Sequence, residues 1–233
     1  MKKVNTIYES KNYSMFKRMR GNREINERHV QYFVKELSKN GMQIPGKINA
    51  LNEIREGQHR FEACKRLKIP FMFFIEKKQL TFNEELDQLM AIQVSKKWNF
   101  KDVLRTQCIK GNLNYIRLKE VSENYSDFTL QTIVYISNGS TTGFRDGEFN
   151  SNGLLRSIRI LDFCRTLKPF FKNYNKQSFV QALSVVIRKQ NFDWEYFKEK
   201  AINVSDKFHN CTNREAFEEM IINIYNYKRK HKI

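Results

Sequence analysis

Between two short apolar runs the chain reads Glu56-Gly57-Gln58-His59-Arg60-Phe61-Glu62-Ala63, and this stretch constrains the fold more than any other. Upstream, Lys47-Ile48-Asn49-Ala50-Leu51-Asn52-Glu53-Ile54 has the alternation and the Asn-Glu break of a short hairpin. Downstream, Phe61, Cys64 and Leu67 recur at helical spacing. Ile69-Pro70 ends that helix and launches Phe71-Met72-Phe73-Phe74-Ile75 as a buried strand. Strand, turn, helix and strand therefore follow one another with short connections, the order of a small mixed α/β sheet. Gly57 lets the backbone come close to a ligand, and the amides and partial positive charge of a helix N-terminus favour a phosphate there. His59 and Arg60 reinforce that preference, so the turn is a candidate phosphate site.

At these residues the chain resembles the ParB/sulfiredoxin superfamily. It is most similar to the ParB-like branch whose central motif reads Asp-Gly-Gln-His-Arg followed by an apolar residue, Glu and Ala; Glu56 stands at the acidic position. The resemblance extends upstream to Gly21-Asn22-Arg23-Glu24-Ile25-Asn26, the helix after it and Gly41-Met42, and downstream to Gln93-Val94-Ser95-Lys96-Lys97-Trp98. It covers residues about 20 to 105.

What the resemblance implies is a nucleoside triphosphate, CTP or ATP with magnesium, held by the amides of Gly57, Gln58, His59 and Arg60 and by the Arg60 side chain. Arg23, Lys96 and Lys97 match family positions that also approach phosphates. Glu56 or Glu62 would help hold a hydrated magnesium ion, which prefers carboxylate and phosphate oxygens. Glu56 and His59 are the candidate catalytic groups. Each has a plainer reading: Arg60 and Glu62 as the charged first turn of a helix, Glu56 as a loop cap, His59 as a hydrogen-bonded structural group. Sulfiredoxins carry a catalytic cysteine where this chain has Gln58, and an amide cannot supply a thiolate. Partition ParB proteins usually read Gly-Glu-Arg-Arg at the turn, so Gln58-His59 leaves the base and hydrolysis open.

The chain has 233 residues with 42 Lys and Arg against 25 Asp and Glu, a net charge of +17. Such a field attracts polyanions, and DNA is the expected partner. The excess is densest in residues 1 to 78, with 18 basic against 8 acidic groups. Lys17, Arg18 and Arg20 form one cluster; Lys228, Arg229 and Lys230 form another in a C-terminal run that is either a solvated end or a phosphate-backbone arm. No run approaches the roughly 18 apolar residues needed to cross a bilayer, and the N-terminus lacks a secretory apolar core. A cytoplasmic protein without a membrane partner is expected. The 4 cysteines, at 64, 108, 164 and 211, show neither CxxC pairing nor zinc spacing and read as buried thiols.

The expected architecture is α+β: a ParB/sulfiredoxin-like domain over residues 1 to 80, then an all-helical domain over 81 to 233 that supplies DNA contact or a homodimer interface. In the first, an edge strand is expected near Val4 to Tyr8. Asn26 caps a helix carrying Val30, Phe33, Val34 and Leu37, and Asn40-Gly41 ends it. Beyond Gln79 helical stripes take over, with starts at Asn83 and Asn99, stripes over 113 to 121, 128 to 136, 154 to 163, 179 to 187, 192 to 204 and 216 to 227, and a Gly-rich loop from Thr141 to Gly153. Trp98 with Phe100 beside Lys96, Lys97 and Lys101, and Phe170, Phe171 and Tyr174 beside Lys168, Lys172 and Lys176, are each either core or a stacking platform for single strands.

The expected function is a DNA-associated, nucleotide-binding protein of the kind carried by phages and plasmids, a nucleoside triphosphatase if it hydrolyses its ligand. The alternatives are a magnesium-dependent nuclease, a small-molecule phosphotransferase, and a nucleotide-independent DNA-binding regulator.

Overall fold

A run of five residues in which Phe71 and Phe73 are buried supplies an inner strand of the first unit's sheet. The structure, a computed structural model, describes residues 6–76, 80–92 and 98–229. The chain divides into two compact units, Met1–Lys110 and Gly111–Ile233. The first holds strands β1 (Tyr8–Ser10), β2 (Lys17–Arg18), β3 (Gly46–Ile48), β4 (Glu53–Glu56) and β5 (Phe71–Ile75). With them come helices α1 (Glu27–Asn40), α2 (Gln58–Leu67), α3 (Phe82–Ile92) and α4 (Phe100–Ile109). The second holds α5 (Leu113–Asn124), α6 (Leu130–Asn138), α7 (Leu154–Thr166), α8 (Gln177–Val186), α9 (Trp194–Asn203) and α10 (Arg214–Asn226).

The five strands form one mixed open sheet in the order β1-β5-β3-β4-β2. β3 pairs antiparallel with β4 and parallel with β5, and the register sets Ile48 against Ile54 and Ile75. These alternate residues point to one face, where Val30 and Leu37 of α1 and Phe61, Ala63 and Cys64 of α2 meet them. Phe16 sits edge-on to Phe61, Phe71 and Phe73 at ring separations of 5.0 to 5.4 Å. Truncating a ring so enclosed as Phe71 would cost roughly 3–5 kcal/mol.

The hairpin, α1 with its Asn26 cap, α2 and β5 form where expected. The edge strand is β1 at Tyr8–Ser10, later than the expected 4 to 8, of which residues 4 and 5 lie outside the described residues. β2 falls inside the basic cluster and runs parallel to β4, pairing Lys17 with Glu53 and Arg18 with Ile54. α3 starts before Asn83: Thr81 donates through its amide and hydroxyl to the Glu84 carboxylate, each at 2.8 Å, a reciprocal cap that holds the first turn.

The unit boundary falls at 110 rather than 80, because α3 and α4 are bonded to the sheet and its loops. Arg55 on β4, only 3 % exposed, donates to the Glu76 and Gln88 side chains and the Glu85 carbonyl. The Thr106 hydroxyl of α4 donates to the Gly21 carbonyl at 3.1 Å.

In the second unit Phe163, Phe179, Phe197, Phe217, Ile221 and Tyr225 are buried. The Gly-rich stretch is drawn in by Tyr115, whose hydroxyl donates to the Phe144 carbonyl at 2.5 Å and whose ring packs against Phe144 and Phe149. Burial pushes that phenol up to about 12. Phe171 and Tyr174 are core residues, while Phe170 is half exposed. Among the described residues no helix is long and apolar enough to cross a membrane.

Candidate functional site

Gly57 opens the site. Its φ of +91° lies in the left-handed region, and it takes the N-cap position of α2 without a capping side chain. Most helices here are closed differently: Asn26, Asn99, Asn112, Thr129, Asp193 and Asn213 each accept a bond from a first-turn amide of their own helix. At α2 the chain cannot carry a larger residue, since a Cβ on Gly57 would lie 3.1 Å from both the Gly46 Cα and the Arg60 guanidinium.

The segment Asn22–Asn26 is brought to this turn from over thirty positions away. Asn22 is buried and its amide donates to the Ile54 and Arg55 carbonyls of β4, both at 3.2 Å. Gln58 donates through Nε2 to the Arg23 carbonyl at 2.8 Å, and His59 accepts the Asn26 amide on Nε2 at 3.0 Å. Two arginines brace the far side. Arg18 donates to the Glu24 carboxylate and to the Asn22 and Arg23 carbonyls; Arg105 of α4 donates to Glu24 and Asn22. The Arg23 guanidinium lies 5.8 Å over the Trp98 ring, and burial lowers its pKa against the opposing charge of Asp102.

Arg60 folds back over its own turn. Its guanidinium donates to the Pro45 carbonyl at 3.4 Å and stands 4.0 Å from Glu56, whose other oxygen pairs with Lys47 at 3.0 Å. Burial pulls the Arg60 pKa down, with Glu56 and Cys64 opposing. Gln58 is 7 % exposed, and its Oε1 is enclosed with no hydrogen-bond partner. The arrangement thus offers the α2 N-terminus, the Arg60 guanidinium and the Gln58 carbonyl acceptor around one turn.

Gly57, Gln58, His59 and Arg60 share the turn, and Arg23 joins it through its backbone carbonyl. Lys96 and Lys97 lie outside the described residues. The bond from Asn26 occupies the ring nitrogen of His59 that a base would use, which fits its structural reading, and His29 packs edge-on against it at 5.4 Å. Glu62 lies one turn into α2. Among the described residues no group of three or more His, Cys, Asp or Glu could hold a metal ion. Glu56, tied to Lys47 and Arg60, and Glu62 do not by themselves make a cage for a resident ion.

No family model matches the chain, and no curated protein matches it. The remaining candidates sort by their contacts. Lys17 and Arg20 are exposed, whereas the Arg18 guanidinium is bound to Glu24 and backbone carbonyls. Trp98 is 4 % exposed, so its face is not open to a stacking base. Arg229 lies between the Tyr196 and Tyr225 rings, 4.7 and 4.4 Å from their centroids, and Lys228 is exposed; Lys230 lies outside the described residues. Cys64 is buried, its thiol pushed up to about 11 by desolvation, as a structural cysteine would be. Sequence reasoning missed Asn22 and Arg105, which shape the Arg23 segment. The only signal was Asn22 beside Gly21, because Arg105 reaches the segment through tertiary packing alone.

Proposed function

We propose that this chain is a DNA-associated, ParB-like protein that binds a nucleoside triphosphate, CTP or ATP, at the turn from Glu56 to Arg60. The observation that carries the reading is the uncapped N-terminus of α2 behind left-handed Gly57, held beside Arg23 by the bond from Gln58. An anion there gains from the helix dipole and from Arg60. On binding, a phosphate would replace the Pro45 carbonyl as the partner of Arg60. A magnesium ion would arrive on the triphosphate, with Glu56 or Glu62 as a carboxylate ligand. The Gln58 Oε1 is an acceptor and suits a hydroxyl or amino donor of the nucleoside rather than a phosphate oxygen.

One observation favours a second reading, a DNA-binding regulator indifferent to nucleotide: Arg60 and His59 already have protein partners in Pro45 and Asn26. Thermal unfolding with CTP, ATP, GTP or UTP, each with magnesium, separates the two. The first reading expects one triphosphate to raise the midpoint in proportion to ligand excess, with the shift lost in Arg60→Ala and partly kept in Arg60→Lys. No shift with any triphosphate would leave the second reading alone.

A further inference from the structure

Tyr227 directly follows the last residue of α10, and three ammonium groups converge on its ring. Lys207 Nζ lies 4.4 Å from the ring centroid, Lys228 Nζ 5.4 Å and Lys200 Nζ 5.5 Å. They come from separate elements: Lys200 from α9, Lys207 from the short turn Ser205–Lys207, and Lys228 from the residue after Tyr227. Beside them Arg229 is sandwiched between Tyr196 and Tyr225, and its Nη1 is enclosed without a hydrogen-bond partner. Among the described residues none of these four cations forms an ion pair with a carboxylate. The contrast is with Lys198 on the same helix, paired to Glu195 at 2.6 Å.

Like charges crowded on tyrosine rings repel one another, and the ring quadrupole offsets only part of that repulsion. A polyanion offsets the rest. Because the lysines are set by α9, α10 and the turn between, the phosphates they meet must be closely spaced, as along one nucleic-acid strand. Tyr227, half-buried, adds a hydroxyl and a flat face, which a bilayer headgroup does not call for. From this we infer that Lys200, Lys207, Lys228 and Tyr227 form a nucleic-acid-binding surface that grips the phosphodiester backbone. The inference rests on the reading of the chain as DNA-associated and assigns the contact to the helical unit.

The test is fluorescence anisotropy of a labelled 20-nucleotide strand and of its duplex with the full chain, over a salt series. The expected result is that Lys200→Gln, Lys207→Gln, Lys228→Gln together weaken binding at least tenfold and flatten the salt dependence by about two to three phosphate contacts. Lys119→Gln, Lys172→Gln, Lys189→Gln, which remove the same charge from elsewhere on this unit, should change little. Losing only the strand in Tyr227→Leu means a base stacks on the ring; losing neither form means phosphate contact alone; both agree with the surface. Equal affinity of the two triple variants overturns it. If Lys17→Gln, Arg20→Gln abolishes binding instead, DNA association survives and this surface does not. No binding of either form by the wild-type chain at low salt, or binding to anionic vesicles alone, also overturns it, while the nucleotide shift of Arg60→Ala against wild type stands as a separate result.

Discussion

Two clusters of positive charge in this chain do opposite things. Around the segment Asn22–Glu24, Arg18 and Arg105 close on one carboxylate and on backbone carbonyls, so their charge holds a loop in place. Around Tyr227, Lys200, Lys207 and Lys228 meet one aromatic ring rather than a carboxylate. A formal net charge counts the two alike. The number of basic residues therefore says little about polyanion binding until the donors already committed within the protein are subtracted.

Three experiments test this contrast. The largest effect is expected from Arg105→Gln, which should cost about 1 to 2 kcal/mol in denaturant unfolding, mostly through the Asn22 carbonyl, since the Glu24 carboxylate is well exposed. Nucleic-acid affinity should stay as in the wild type; a loss of affinity without a loss of stability would erase the contrast. Next, added salt should stabilise the wild-type chain by about 0.5 kcal/mol through screening of the lysines around Tyr227. The Lys200, Lys207, Lys228 triple Gln variant should lose that gain, and an unchanged salt response would mean the ammoniums do not repel. The smallest effect lies in acid. Glu24 is held below its usual range by its bond from Arg18, and Glu27 is drawn from 4.5 to about 2 by its paired bonds from Arg66, which join α1 to α2. Depressed folded values mean that the contribution is whole above pH 4.5 and disappears as the pH falls toward 2. Melting between pH 5 and pH 2 should therefore show a smaller acid loss in Glu27→Gln than in wild type. Equal acid losses would show that this clasp contributes nothing.

How much of this was legible depended on whether the determining contact was local. Asn26, Gly41 and the Val30 to Leu37 stripe define α1 from neighbours a few residues apart, and α1 runs Glu27–Asn40. Gly57 likewise marks its turn, because only a residue without Cβ fits at φ +91° beside Gly46. The stripes over 154 to 163, 179 to 187 and 216 to 227 match α7, α8 and α10 for the same reason. β2 was hidden, since Lys17 and Arg18 carry no strand pattern and pair with β4 only through the folded sheet. The bracing of Asn22 and Glu24 by Arg105 and the meeting of Lys200 with Tyr227 join residues far apart in sequence, so no spacing encodes them. Trp98 and Phe171 had two open readings, and burial decided for the core in both.

The outer strands of the sheet have a consequence for how copies of this protein meet. β1 spans three residues and β2 two, so each open edge offers very few unpaired amides and carbonyls. A second chain seeking to extend the sheet would find almost no ladder to continue. Concentrated protein should therefore resist strand-to-strand stacking into fibrils, and any paired assembly has to be built from side-chain surfaces rather than from a shared sheet.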